Sequence, residues 1–273
     1  MTKHLLVIMM LALLLISGCA TTPKETELEE TPETAAAKVR RIRTELTAAP
    51  DNPELHYQLG NALFDIGNYG EAAFSYEQAL RSDAQLAKAW TNLGLTLRKL
   101  GRPKAAVGAY ETALDITPDD VTTLRNLWAV AELLSDWDRV IRCAESLLAL
   151  EPGSKDILAE LARIHMQRGD YANAATQYER LIQLDPGIAA DHYNLGLCQY
   201  EQGKLDATVS AWKNTLQIAP DHPSANKGLA VLYWEQGKLD QAWAAVQRCQ
   251  QQGIPLDPQF IAALEADTKI NDQ

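Results

Sequence analysis

Histidine is the side chain best suited to chemistry near neutral pH, and the chain contains five of them. None stands at a metal-ligand spacing from another histidine, a cysteine or a carboxylate. The sequence shows no glycine-rich loop that could hold a phosphate, and no serine in a nucleophile-elbow context. It therefore predicts no enzyme, no cofactor and no metal site. The five histidines are His4, His56, His165, His192 and His222.

Cysteine is the other candidate for chemistry, and three of the four cysteines fall in segments with a helical pattern: Cys143, Cys198 and Cys249. In an exported chain, an odd number would be compatible with a reactive thiol or an intermolecular disulfide. Their helical positions favour a different interpretation, in which they are small, buried apolar residues. We expect free, buried thiols.

The segments that carry these residues repeat every 34 residues. A leucine occurs at six positions in this phase, namely Leu59, Leu93, Leu127, Leu161, Leu195 and Leu229. The residue that follows is small in every copy except the third, where it is Trp128. A glycine at the turn and a proline at the end complete most copies. An internal period of this length indicates a repeat protein.

The stretch from Ala87 to Asp120 shows one copy in full. A first helix is predicted from about Lys88 to Leu100, because apolar residues recur there at helical spacing and a glycine follows. Pro103 is suited to the first turn of a second helix. The pattern resembles the tetratricopeptide repeat, a helix-turn-helix unit. The residues that carry the resemblance are Trp90, Leu93, Gly94, Ala106, Tyr110, Ala113 and Pro118.

The resemblance extends from about Pro53 to Leu256 and implies an all-α fold, a right-handed superhelical α-solenoid in which each helix pair covers the apolar face of the next. Six units are predicted, at 53–86, 87–120, 121–154, 155–188, 189–222 and 223–256. Before them, residues 35–50 are predicted to form an N-terminal half-repeat helix, with Val39, Ile42 and Leu46 on one stripe. After them, residues 257–273 are predicted to form a capping helix and a frayed tail.

The third unit departs from the pattern at two positions, but the total side-chain volume at the two positions stays about the same. Trp128 replaces the small residue, and Ala144 replaces the bulky aromatic residue expected beside it. A large-for-small exchange next to a small-for-large one is tolerated by packed cores. Ser135 also replaces the turn glycine. We expect a true repeat with local repacking, and any irregularity in the array to lie here.

Residues 1–18 are predicted to be a lipoprotein signal peptide. The apolar run from Leu5 to Ile16 is too short to span a bilayer, which needs about 20 residues. The sequence Ile16-Ser17-Gly18-Cys19 resembles the bacterial lipobox, which implies acylation of Cys19 and a membrane anchor. The alternative is an ordinary signal peptide with an unmodified cysteine. Because Ala20 and not aspartate follows, the resemblance implies the bacterial outer membrane, facing the periplasm.

Residues 19–34 are rich in threonine, proline and glutamate, and we expect a flexible acidic tether. The whole chain is acidic, with a formal net charge of −11. Such a charge disfavours nucleic acid and anionic lipid as partners. The repeat and lipobox resemblances imply a protein or peptide partner in the periplasm or envelope, and no small-molecule substrate is expected.

The resemblance places the binding site on the concave groove, at the second, fifth, ninth, twelfth and thirteenth positions of each unit. Basic and aromatic residues occur there, which would suit a peptide with an acidic or C-terminal carboxylate feature. The candidate residues, two of which match the asparagines of the family's carboxylate clamp, are Tyr57, Asn61, Phe64, Lys88, Thr91, Asn92, Arg98, Lys99, Arg125, Arg163, Tyr193, Tyr200, Lys227 and Trp234.

Two features of this candidate set have other interpretations. The clamp asparagines are Asn61 and Asn92, but Tyr57 and Thr122 stand where the clamp has lysine. Structural hydrogen bonding would also explain asparagine at this repeat position, and packing between repeats would explain the aromatic residues.

The function that the sequence predicts is a membrane-anchored, non-catalytic protein-protein interaction scaffold that binds its partner in the groove. Two narrower versions stay open. One is an envelope assembly factor of the kind used in pilus or secretin biogenesis, and the other is an adaptor for cell-wall enzymes. An enzyme with an unrecognised site and an unanchored scaffold are the competing classes.

Overall fold

The computed structural model describes residues 34–271, and these residues form fourteen α-helices and no strand. The predicted signal peptide, Cys19 and nearly all of the predicted tether lie outside the described residues. The helices are α1 Ala35–Ala48, α2 Pro53–Asp65, α3 Tyr69–Ser82, α4 Ala87–Lys99, α5 Pro103–Ile116, α6 Val121–Leu133, α7 Trp137–Leu150, α8 Lys155–Gln167, α9 Tyr171–Leu184, α10 Ala189–Glu201, α11 Leu205–Ile218, α12 Pro223–Glu235, α13 Leu239–Gln251 and α14 Pro258–Asn271.

Local sequence signals set the ends of these helices. Asn52 caps α2, because its Oδ1 accepts from the backbone N–H groups of Glu54 at 3.0 Å and Leu55 at 3.2 Å. Pro53 and Pro103 stand at the first turns of α2 and α5. Gly101 has a φ of 72° between α4 and α5, a backbone conformation that glycine adopts without steric cost.

Each helix packs against the next along the chain, so the fold is an all-α helical repeat solenoid, as predicted. The first helices of neighbouring units also touch across the second helix between them: α2 contacts α4, and α4 contacts α6. The first helices therefore form the inner layer of the solenoid. The second helices lie on its outer side.

A tyrosine packed on a glycine fills the middle of the second unit. Tyr110 is completely buried, and a Cβ placed on Gly94 would lie 2.7 Å from its Cε1. Tyr76 and Gly60 repeat this arrangement one unit earlier, with a corresponding distance of 2.5 Å. Only glycine lets the two helices approach this closely.

The third unit shows the expected exchange. Ala144 is fully buried, and Trp128 is partly buried against the apolar cluster that contains Ala144. Its turn residue, Ser135, has a φ of 56° and is the one non-glycine with positive φ among residues 34–271. Helix α7 contacts α8 less extensively than the other second helices contact the unit that follows. The packing between consecutive units is therefore weakest after unit three.

A side chain at the fourth position of most units ties the unit to the end of the preceding helix pair. The Nε2 atoms of His56 and His192 lie 2.7 Å and 3.0 Å from the carbonyl oxygens of Pro50 and Pro186. Trp90 Nε1 donates to the Ala84 carbonyl at 3.0 Å in the same way. The two histidines thus have a structural role in the contacts between consecutive units.

Both ends of the array are covered by an extra helix. Val39 and Ile42 of α1 are buried against unit one, and Leu264 of α14 is buried against unit six. Asp257 begins α14, because its Oδ1 accepts from the Gln259 backbone N–H at 2.9 Å. Across residues 34–271, every helix is too short or too polar to cross a bilayer.

Candidate partner-binding groove

We use the word groove for the inner wall formed by α2, α4, α6, α8, α10 and α12. At its N-terminal end, the predicted polar residues bind one another. Asn61 Oδ1 accepts from the hydroxyl of Tyr76 at 2.7 Å and from Nδ2 of Asn92 at 2.8 Å. Burial raises the pKa of Tyr76 above its usual value. Structural hydrogen bonding therefore accounts for both asparagines.

The predicted basic residue of this section is also paired. Lys88 Nζ lies 2.8 Å from Glu54 Oε2 and 4.4 Å from the centre of the Tyr57 ring. The hydrogen bond with Lys88 lowers the pKa of the Glu54 carboxyl. Phe64 packs edge-on against Tyr69, with ring centres 5.2 Å apart. Lys88 and Phe64 thus already make contacts within the chain at this end of the groove.

Three predicted residues line one cleft of about 370 Å³ between units two and three: Lys88, Thr91 and Asn92. Thr91 is buried, and its hydroxyl lies 2.6 Å from that of Thr123. Its hydrogen-bonding capacity is thus used inside the chain. Thr91 shapes the floor of this cleft and does not offer a hydroxyl to a partner.

The groove positions carry charges of both signs. At the five groove positions of the six units, acidic residues are as numerous as basic ones. Arg163 pairs with Glu160, and Arg125 lies 3.8 Å from Glu151. The wall is therefore of mixed charge and not uniformly positive. Among residues 34–271, the candidate bases without an ion pair are Arg98, Lys99 and Lys227.

The C-terminal section of the groove contains three aromatic side chains that pack on one another. Tyr193 and Tyr200 each stack on Trp212, with ring centres 6.1 Å apart in both pairs. Trp212 itself is held between two glycines, since a Cβ on Gly196 or Gly228 would lie about 2.5–2.6 Å from its ring. The resulting cleft has a volume of about 310 Å³ and is lined by Tyr193, Leu197, Tyr200, Glu201, Trp212, Ser224, Lys227, Gly228, Val231 and Leu232.

Models of the tetratricopeptide repeat match the chain at residues 32–87, 57–121 and 199–252, and a TPR repeat model matches residues 162–203. Together these ranges cover more than half of the sequence. The chain belongs to the tetratricopeptide-repeat family. Unit three, with its Trp128, falls almost entirely in the stretch between the matched ranges. No curated protein sequence gives a significant match to the chain.

Solved structures give the same fold for this tetratricopeptide-repeat chain. The Naa15/Naa10 complex bound to HypK superposes with a TM-score of 0.69 at 16% identity, covering 86% of this chain and 37% of that one. YrrB, described as a TPR protein with an unusual peptide-binding site, is 18% identical with a TM-score of 0.49, covering 68% and 96% of the two chains. The C-terminal part of a TPR repeat-containing protein from Cytophaga hutchinsonii is 14% identical with a TM-score of 0.49, covering 84% and 94%.

One predicted groove residue of the last repeat unit contacts the C-terminal capping helix α14. Trp234 Nε1 donates to Asp267 Oδ2 at 2.7 Å, and its ring packs edge-on against Phe260, with ring centres 5.5 Å apart. Trp234 thus fixes α14 to the repeat array. The Tyr200 hydroxyl lies 3.2 Å from Glu235 Oε1, at the rim of the aromatic cleft.

Two tryptophans that the candidate set left out line clefts of the repeat array. Trp128 borders a cleft of about 290 Å³ between units three and four, together with Arg125, Ala129, Asp156, Ile157 and Glu160. Trp212 forms the base of the C-terminal cleft. Both stand at packing positions of the repeat. In the sequence, the size of these two residues could have indicated them, since each is larger than the residues at the same position of the other units.

The three cysteines of the array are free and buried, as predicted. Burial raises the pKa of Cys143 and of Cys198 to about 11, and it also raises that of Cys249. Thiols of this kind are poor nucleophiles near neutral pH. Within residues 34–271, no group of three or more histidine, cysteine and carboxylate side chains is arranged to hold a metal ion.

Proposed function

We propose that this chain is a non-catalytic interaction scaffold that captures a periplasmic protein or peptide in its groove. The observation that carries the proposal is the C-terminal cleft. It combines stacked aromatic rings, the apolar side chain of Val231, and Lys227, which makes no ion pair within residues 34–271. Aromatic anchors beside an unpaired base are typical of the residues that dominate protein interfaces.

We prefer the aromatic cleft to the N-terminal end of the groove as the binding site, because fewer of its polar groups already make hydrogen bonds or ion pairs within the chain. The asparagines and Lys88 at the N-terminal end already have partners within the chain. A partner that bound there would have to break those contacts. At Lys227, a partner carboxylate would add an ion pair without breaking one.

The experiment is capture of partners from detergent-solubilised envelopes by wild-type chain and by the double variant Lys227→Glu and Val231→Glu. Lys104→Glu is the charge-reversal control, because Lys104 is exposed on the outer helix α5 and makes no ion pair in the described part of the chain. We expect the double variant to lose the captured protein and the control to keep it, with helicity unchanged in circular dichroism. Equal capture by all three proteins would move the site away from this cleft.

We also propose that the scaffold is anchored to the outer membrane through a lipid on Cys19, facing the periplasm. This part rests on the lipobox-like sequence Ile16-Ser17-Gly18-Cys19. Replacing Cys19 with serine is expected to release the chain from the membrane fraction. A variant that stays with the membrane would disprove the lipid anchor.

The two narrower versions of the function differ in what would be captured. An assembly factor is expected to retain pilus or secretin subunits, whereas a cell-wall adaptor is expected to retain peptidoglycan enzymes. Identification of the proteins that the Lys227→Glu and Val231→Glu variant loses would decide between them.

A further inference from the structure

The charge of the chain is unevenly distributed along one side of the array, the side on which each first helix ends and each second helix begins. We call residues 35–43, 65–74 and 99–108 on this side the basic edge, because they hold seven bases and two carboxylates. At the same ten positions of units three to six, five bases stand against seven carboxylates. The seven bases of the basic edge are Lys38, Arg40, Arg41, Arg43, Lys99, Arg102 and Lys104.

Helix α1 belongs to this edge because it stands in the place of a second helix. Its bounds, Ala35–Ala48, lie 34 residues before those of α3. Arg43 of α1 forms an ion pair with Glu71 of α3. The same two repeat positions are joined between units two and three, where Arg139 Nε lies 2.9 Å from Glu111 Oε1. The start of α1 therefore lies on the same side of the array as the turns inside the units.

Large apolar side chains are exposed on the same side. Ile66 and Leu100 stand at the turns of units one and two, and Phe74, in the first half of α3, has an exposed fraction of 58%. Leu133 and Trp137 are exposed at the turn of unit three. In units four to six, arginine or glutamine occupies the repeat position of Ile66, and threonine, serine or alanine that of Phe74. Bases beside exposed apolar side chains are typical of surfaces that bind anionic membranes.

Capping of the array does not account for all of these bases. A terminal helix needs a polar outer face, which explains the arginines of α1. Lys99, Arg102 and Lys104 lie inside the array, where no such face is needed. All three are exposed, and none makes an ion pair within residues 34–271.

We propose that the basic edge rests on the anionic phospholipid surface of the membrane to which the chain is anchored. Its lysines and arginines pair with lipid phosphates, and Phe74 enters the boundary between headgroups and acyl chains. Residues 109–271 carry 23 carboxylates against 13 bases, so the same surface repels the rest of the array. The aromatic cleft of units five and six then points away from the bilayer. This inference rests on the proposed lipid anchor, to which it adds an orientation.

The proposed anchor is close enough to bring the basic edge to the lipid. Thr34 caps α1, since its Oγ1 accepts from the Ala37 backbone N–H at 3.3 Å. Cys19 precedes Thr34 by 15 residues. An extended segment of that length spans at most about 50 Å. A lipid on Cys19 therefore holds the start of α1 within that distance of the bilayer.

The acidic tether is the other segment whose charge would fit the basic edge. Residues 20–33 contain five glutamates but a single large apolar side chain, Leu28. One leucine cannot cover Ile66, Phe74 and Leu100 together. A bilayer supplies both phosphate groups and an extended apolar region, so the lipid surface accounts for more of the exposed residues than the tether does.

The test measures the depth of a nitroxide on α3 by electron paramagnetic resonance, with the lipid-bearing chain reconstituted on vesicles of phosphatidylethanolamine and phosphatidylglycerol. Gly70→Cys carries the label, because Gly70 is exposed one helical turn before Phe74 and a Cβ there meets nothing within 4 Å. The buried cysteines of the array stay unlabelled. Ala172→Cys is the matched control at the same position of unit four. We expect the Gly70→Cys label to become accessible to oxygen and shielded from a water-soluble nickel complex, and the Ala172→Cys label to stay in water.

Further variants of the Gly70→Cys chain separate docking from simple tethering. Arg102→Glu is expected to lower the ratio of docked to undocked chain by about fivefold or more. Lys204→Glu reverses a base at the same repeat position of unit five and is expected to leave that ratio unchanged. Phe74→Ser is expected to make the label shallower. Replacing phosphatidylglycerol with phosphatidylcholine is expected to abolish docking, and circular dichroism verifies that each variant is folded.

The inference is wrong if the Gly70→Cys label stays in water while the chain stays on the vesicles, or if Arg102→Glu and Lys204→Glu act alike. It is also wrong if the label is immobile but accessible to nickel, with or without vesicles, because the tether or another protein would then cover the edge. The lipid anchor would survive each of these results. A chain that leaves the vesicles would remove the anchor and the docking together.

Discussion

Units two and three solve the same packing problem in opposite ways. In unit two, Gly94 leaves a space that the Tyr110 ring fills, and the tyrosine is completely buried. In unit three, Trp128 comes from the first helix, and Ala144 on the second helix makes room for it. The repeat therefore conserves the sum of two volumes and not the residue at either position. The same comparison has a functional side, because the large residue of unit three comes from the inner layer and borders a groove cleft.

The positions that both units share should be the least tolerant of change. Leu93 and Leu127 stand in the same phase and are both buried in their units. We expect Leu93→Ala and Leu127→Ala each to lower the free energy of unfolding by about 2–5 kcal/mol, as for other core leucines. Urea unfolding followed by circular dichroism measures the loss. A cost near zero at either leucine would show that its unit is not packed in the common phase.

The glycine of unit two provides a sharper test, because the same substitution should have opposite signs at two sites. Gly94→Ala places a Cβ about 2.7 Å from the buried Tyr110 ring and is expected to destabilise the chain by roughly 1–3 kcal/mol. Gly108→Ala, on the exposed face of α5 with nothing within 4 Å, is expected to stabilise it by about 0.5–1 kcal/mol. Both are read from urea midpoints. If both changes destabilised equally, contact with Tyr110 would not be the reason that Gly94 is required.

Unit three can be converted into the arrangement of unit two. Ala144→Tyr alone should overpack the core beside Trp128, and Trp128→Gly alone should leave a cavity. The double variant is expected to recover part of the loss, with a coupling energy of about 0.5–3 kcal/mol between the two changes. A double-mutant cycle in urea measures this coupling. Simple additivity of the two losses would mean that Trp128 and Ala144 do not share one space.

The comparison of the two units also shows how far sequence reasoning reaches. The period, the helix pairs, the buried cysteines and the volume exchange in unit three follow from residue size and spacing. These properties are local, since each unit contacts only its neighbours. A substitution at one repeat position therefore has its consequence within about one unit, where the sequence can reveal it.

The candidate site was less predictable, because ion pairs within and between units change the surroundings of the predicted charges. Lys88 pairs with Glu54 of the preceding unit, and Arg163 pairs with Glu160 of its own helix. The acidic residues at the groove positions were visible in the sequence, and the contacts that they make were not.

The smallest expected effect concerns the turn that distinguishes unit three from unit two. Ser135 adopts a φ of 56°, whereas the corresponding Gly101 has a φ of 72°. A left-handed conformation costs a residue with a Cβ roughly 1–2 kcal/mol, and glycine avoids this cost. The larger conformational entropy of glycine in the unfolded chain offsets part of that stabilisation. Ser135→Gly is therefore expected to stabilise the chain by about 0.5–1 kcal/mol, measured as a higher urea midpoint. Gly101→Ser is the matched reversal and is expected to destabilise by a similar amount. If Ser135→Gly lowered the midpoint, the serine would be supporting its turn through contacts that glycine cannot make, and the irregularity of unit three would be a stabilised feature of the array.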